Sequence, residues 1–158
     1  MTTYAARPID PAVLKELRSA DDSGRSRAPF VDDEGGAPLR CCLRRSEPGE
    51  QIALVSYAPL RRWAAGTGVD PGAYDEQGPV FIHAEECAGP DGDRYPFTNA
   101  HRTVRRYSAE GRILGGRLVE EPEEFGLAFD EAFADPEVAL VHVRAVEYGC
   151  FLFEVRRS

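Results

Sequence analysis

The runs Val138-Ala-Leu-Val-His-Val-Arg-Ala-Val146 and Cys150-Phe-Leu-Phe-Glu-Val-Arg156, separated by Glu147-Tyr-Gly149, carry the reading of the fold. Both are rich in β-branched and aromatic residues, and Gly149 suits the left-handed position of a three-residue loop. Together they predict an antiparallel hairpin. The register such a loop imposes sets Val146 opposite Cys150, Arg144 opposite Leu152 and His142 opposite Glu154. Val141, Val143, Ala145, Phe151, Phe153 and Val155 then share one face, and every one is apolar. That face is the expected core. The reverse face, with Leu140, His142, Arg144, Val146, Cys150, Leu152 and Glu154, is mixed and expected to be half covered. A slip of one residue would exchange the faces of one strand.

Upstream, short β segments are predicted over 39–43, 52–58, 79–84, 103–107 and 113–119, with Ser46-Glu-Pro-Gly49 and Ser108-Ala-Glu-Gly111 as turns. Asp10-Pro11 opens a helix over about 10–20, because Asp accepts from free amides and Pro fits the first turn. A second helix is predicted over 122–134, where Phe125, Ala128, Phe129, Ala132 and Phe133 recur at three and four residues. Residues 59–65, carrying Trp63, read as one helical turn, and 21–37, 66–78 and 86–100 read as loops. Connections between strands are mostly too short for parallel crossovers. The expected class is α+β, a mainly antiparallel twisted sheet or half-barrel with about two helices packed on it. At 158 residues and 17.4 kDa the chain is expected to form a single domain, 1–158, with its sheet-and-helix body from about 38 to 157.

Nineteen basic against 27 acidic residues give a net charge of −8 and a pI near 4.9. That balance argues against general binding to nucleic acid or to anionic membranes. A hydrophobic share of 42% with 29% charged residues predicts a folded, soluble chain and not a disordered one. No apolar run approaches the length of a membrane span, and residues 1–8 lack the basic-then-apolar build of an export signal. A cytoplasmic location with reduced thiols is therefore expected.

Arg40, Cys42 and Arg44 alternate with Leu39, Cys41 and Leu43, and Phe81, His83 and Glu85 alternate with Val80, Ile82 and Ala84. Were these strands to share a sheet with the hairpin, one face would collect Arg40, Arg44, His83, His142 and Arg144. Glu154, opposite His142, would favour its imidazolium. Guanidinium and imidazole groups around one concavity bind carboxylate or phosphate well, so these six residues form the candidate site for an anionic small molecule. The rival reading of the same arginines is a solvated face paired with acids.

The densest chemistry-bearing run is His83-Ala-Glu-Glu-Cys87, in which Cys87 with His83 as base is a weak candidate for catalysis. With Cys41 or Cys42, His142 and Cys150, a four-ligand metal set can be assembled from the same run. Zinc sites usually show ligand pairs at short spacing, Cys-x-x-Cys is absent, and neighbours on a strand point to opposite faces. Inert buried cysteines are the ordinary expectation, with no metal and no other cofactor. No GxSxG elbow, P-loop, HExxH or dinucleotide motif is present.

Leu39-Arg-Cys-Cys-Leu-Arg44, Pro48-Gly-Glu50 with Leu54-Val-Ser-Tyr57, Gly78-Pro-Val-Phe-Ile-His83 with Cys87, and Val141-His-Val-Arg144 with Gly149-Cys-Phe151 resemble a bacterial family of domains of unknown function, DUF 1203. The resemblance runs from about 38 to 156 and implies a compact bacterial domain without an assigned activity, cofactor or catalytic residue. No functional residue carries over from it. Three functions stand open at this level: a small-molecule-binding domain or enzyme with the Arg/His pocket, a non-catalytic module acting as a homodimer or docking a partner, and a thiol or metal site at His83 and Cys87.

Overall fold

Asp10 caps the first helix, its Oδ1 accepting from the Ala12 N–H at 2.9 Å, and Pro11 occupies the first turn. This helix, α1 (Pro11–Ser19), buries Leu14 and Leu17. The computed structural model describes residues 4–92, 95–98 and 101–157. Positions 93, 94, 99 and 100 of the loop expected over 86–100 lie outside the described residues. A short strand, β1 (Phe30–Asp32), falls inside the stretch read as loop; three residues are too few to show an alternation. After β2 (Glu50–Tyr57), α2 (Pro59–Thr67) runs beyond the single turn expected. It ends at Gly68, whose left-handed φ of 77° lets its N–H reach the Ala64 carbonyl at 2.8 Å. The chain continues through β3 (Gly78–His83), β4 (Arg102–Ser108), β5 (Ile113–Val119), α3 (Phe125–Ala134), β6 (Val138–Ala145) and β7 (Phe151–Arg156).

The class is α+β, with antiparallel strands that divide between two open sheets, ordered β1-β2-β3 and β5-β4-β6-β7. The face of the four-stranded sheet carrying Val104, Val141, Val143, Phe153 and Val155 packs under Phe125, Phe129 and Phe133 of α3. A second core joins Leu14 and Leu17 of α1 to Ile52, Val55, Val80 and Ile82 of the three-stranded sheet. A third joins Leu60, Trp63 and Ala64 of α2 to Tyr107 and Leu140.

The terminal hairpin pairs Val141 with Val155, His142 with Glu154 and Val143 with Phe153, as the alternation predicts. Nearer the turn the register shifts, and Arg144 faces Phe151 where Leu152 was expected. The cause is a longer loop: Ala145 donates to the Cys150 carbonyl at 2.9 Å and Val146 lies in the turn. The bulge exchanges two side chains between faces. Leu152 joins Val143 and Phe153 under α3, while Phe151 turns towards His142 and the three-stranded sheet. The mixed face is covered more completely than expected, since Leu140 and His142 are both wholly buried beneath the other elements.

The larger correction concerns 39–43, read as a strand. Leu43 donates to the Leu39 carbonyl at 2.9 Å and Leu39 donates to the Arg44 carbonyl at 2.9 Å, so the segment closes on itself as a turn. Leu43 takes a φ of 58°, a left-handed conformation that a leucine accepts only under tertiary constraint. The turn is fastened to β3 by the Arg40 N–H, which donates to the Phe81 carbonyl at 2.9 Å.

Candidate functional site: a thiol and imidazole cluster

Because 39–44 turns, Cys41 and Cys42 no longer point apart. Both sulfurs lie against the ring of His83 at the end of β3, Cys41 Sγ at 3.4 Å and Cys42 Sγ at 3.9 Å from Nδ1. The two sulfurs are 4.0 Å from each other. Cys87, in the loop after β3, completes a set of four whose ligand atoms all lie within 4.8 Å of one another. Cys41, Cys42 and His83 are buried and Cys87 is half-buried.

The backbone prepares this cluster. The His83 N–H donates to Cys41 Sγ at 3.3 Å, and the Arg44 N–H donates to Cys42. Arg18 of α1 clamps the adjoining strand end, its Nε donating to the His83 carbonyl at 3.1 Å and its Nη2 to the Glu85 carbonyl at 2.9 Å. On the far side of the imidazole, His83 Nε2 lies 2.8 Å from Glu50 Oε2. An ionised carboxylate only accepts, so Nε2 carries a proton, and Nδ1 is the ring nitrogen that faces the sulfurs. Glu50 is held in turn by the Glu47 N–H at 2.7 Å and by Arg44 at 3.4 Å. The Glu47 N–H is the chief reason its carboxyl is held down to about 2, burial opposing and His83 and Arg44 assisting.

The two adjacent thiols are electrostatically unlike. Hydrogen bonding from Cys41 favours the Cys42 thiolate, and the Arg44 N–H and the nearby charges of Arg44 and His83 reinforce it against burial. Cys41, sharing that hydrogen bond and buried, is pushed up. A tetrahedral zinc with bonds of about 2.3 Å to sulfur and about 2.0 Å to nitrogen has edges of roughly 3.8 Å between sulfurs and roughly 3.5 Å from sulfur to nitrogen. The observed separations of 4.0, 3.4 and 3.9 Å match those edges within a few tenths of an ångström. A cavity of about 390 Å³, lined by Arg44, Glu50, His83, Glu86 and Cys87 among others, opens beside the cluster.

The family model described as a protein of unknown function, DUF1203, matches residues 36–157. The chain belongs to this family. No curated protein and no solved structure matches it. The DUF1203 region holds all four members of the cluster and Glu50, whereas α1, with its Arg18 clamp, precedes it.

Within that region the six residues expected to share one concavity are distributed over four places, because 39–43 is a turn and the strands form two sheets. Arg44 and His83 belong to the thiol cluster. His142 and Glu154 are buried together, Nε2 to Oε1 at 2.9 Å, with the His142 ring between those of Tyr107 and Phe151. Burial pushes the Glu154 carboxyl up, but His142 and Arg156 outweigh it and hold the group below the usual range. Arg144 donates to the Gly149 carbonyl at 2.8 Å and lies 3.4 Å from Glu76. Arg40 enters a cleft between the two sheets, with Arg45 and Arg102. Of the metal set assembled from sequence, His142 and Cys150 stand elsewhere, and both adjacent cysteines take part where one was expected. The His83-to-Cys87 spacing was the available signal; the role of the cysteine pair was hidden by the strand reading.

Proposed function

We propose that this is a zinc-binding domain whose site consists of Cys41, Cys42, Cys87 and His83, with Glu50 orienting the imidazole. One observation carries the reading: Cys41 Sγ, Cys42 Sγ and His83 Nδ1 stand within a few tenths of an ångström of the edge lengths of a zinc tetrahedron, and Cys87 Sγ lies within 4.8 Å of the other ligand atoms. The hydrogen bond between His83 and Glu50 supports it, since a carboxylate on the second ring nitrogen is the usual partner of a ligating histidine. Four protein ligands fill a tetrahedron and leave no open position, so the role is structural. The metal ties the 39–44 turn, the end of β3 and the loop bearing Cys87 into one unit, adding to the burial of Leu39 and Ile82 in the same core.

Elemental analysis of protein purified without added metal, combined with mercurial titration of the thiols, tests this. The expected result is about one zinc per chain, released as the cysteines are titrated and lost in Cys42→Ser and Cys87→Ser. Metal-free protein that fails to take up equimolar zinc overturns it. If such protein instead shows one thiol reacting rapidly at neutral pH, the adjacent Cys41 and Cys42 are a redox or nucleophilic pair, a reading favoured by the stabilised Cys42 thiolate.

A further inference from the structure

A second site lies away from the thiols, in the cleft of about 680 Å³ where the three-stranded sheet meets the end of the β6–β7 hairpin. Its walls are apolar, formed by Leu54, Phe81, Ala145 and Leu152 among others, yet the guanidiniums of Arg40 and Arg102 enter it, with Glu147 the one carboxylate among the described lining residues.

Arg40 is the informative member. It is only 3% exposed, and its bonds go to backbone carbonyls: Nε to Phe151 at 2.8 Å and Nη1 to Pro38. These satisfy donors but bring no opposite charge, and among the described residues no carboxylate lies within ion-pair distance of Arg40. Arg102 is held likewise, Nε donating to the Phe97 carbonyl at 2.7 Å and Nη1 to the His101 carbonyl at 2.9 Å. Glu147, the one lining acid among the described residues, reaches Arg102 only at 3.6 Å and is half exposed at the mouth. Burying a guanidinium without a counter-charge is costly, and an anion delivered to the cleft recovers that cost. Forked guanidiniums fixed by backbone carbonyls are pre-organised for a carboxylate. Leu54 and Tyr148, 42% and 90% exposed, stand at the same cleft and give an apolar chain a surface to cover.

We propose that this cleft binds an apolar monocarboxylate, its head on Arg40 and Arg102 and its alkyl or aryl body along Leu54, Phe81 and Leu152. The volume falls within the range of small-molecule sites. The proposal stands whether or not the thiol cluster holds a metal.

Calorimetric titration of the 158-residue chain with decanoate, 2-naphthoate, acetate, decanol and decyltrimethylammonium tests it. Decanoate or naphthoate is expected to bind saturably, the tighter of the two distinguishing an alkyl from an aryl ligand, with acetate at least a hundredfold weaker and the alcohol and the ammonium giving no saturable binding. Leu54→Asp, on a half-exposed residue and so harmless to folding, is expected to weaken binding at least tenfold with an unchanged melting temperature. Glu147→Gln removes the competing carboxylate and is expected to tighten it. The proposal is overturned if neither carboxylate saturates, if acetate or decanol binds as well as decanoate, or if Leu54→Asp leaves affinity intact.

Discussion

Asp21 sits in a segment whose polar composition reads as loop, and it is one of the most heavily bonded side chains in the protein. Its Oδ1 accepts from the N–H and Oγ of Ser23 at 3.0 and 2.7 Å and from the Arg25 N–H at 3.1 Å. Its Oδ2 accepts from Arg27 Nε at 2.7 Å and from the Ser56 N–H of β2 at 3.0 Å. Burial pushes the carboxyl up, but these bonds, with Arg27 foremost, more than reverse it and hold the group well below its ordinary 3.8. The carboxylate thus stabilises the fold above about pH 4, and its contribution is lost as acid titrates the folded group. Asp21→Ala strands several buried donors and is expected to cost about 3 kcal/mol in urea unfolding at pH 7. The difference from the native chain should shrink steadily as the pH is lowered below 4. A pH-independent difference would assign the loss to packing. Nothing in the residues 21–37 announces this, because a capping acid and a solvated acid are the same letter until a second strand brings Ser56 to it.

At the level of elements, α3 and the terminal hairpin were readable because their apolar periods of about 3.6 and 2 each have one dominant face. Phe129 is wholly buried, with ring centroids of Tyr4, Tyr95 and Phe125 at 5.9, 5.1 and 5.9 Å. Phe129→Ala is expected to cost about 3–5 kcal/mol by denaturant titration. A loss under about 1 kcal/mol would mean that α3 is not what covers this face. The 39–44 turn was not readable. Leu-Arg-Cys-Cys-Leu-Arg alternates as a half-buried strand does, and what bends it is a set of bonds to β3 and within itself that no local propensity encodes. The misreading reached the site directly, since a strand separates adjacent cysteines and a turn brings them together.

Across the whole molecule, two cores lie on either side of the β6–β7 hairpin, and Cys41, Cys42 and Cys87 all pack in the one built on the three-stranded sheet. Removal of the proposed zinc, by chelator or by Cys42→Ser, is therefore expected to loosen one side first. Amide hydrogen exchange should accelerate in 38–45 and at the end of β3, while β4 and β6 keep their protection under α3. Uniform acceleration across both sheets would show that the cluster governs global unfolding.

Composition, helix caps and apolar periods established the α+β class, α1, α3 and the pairing of Val143 with Phe153, since each depends on residues close together in the chain. The gathering of Cys41, Cys42, His83 and Cys87, the isolation of Arg40 among apolar walls and the burial of Asp21 depend on contacts between segments tens of residues apart. Those contacts come from how two sheets pack, and packing reads shape and volume over the whole chain, which no window of neighbouring residues contains.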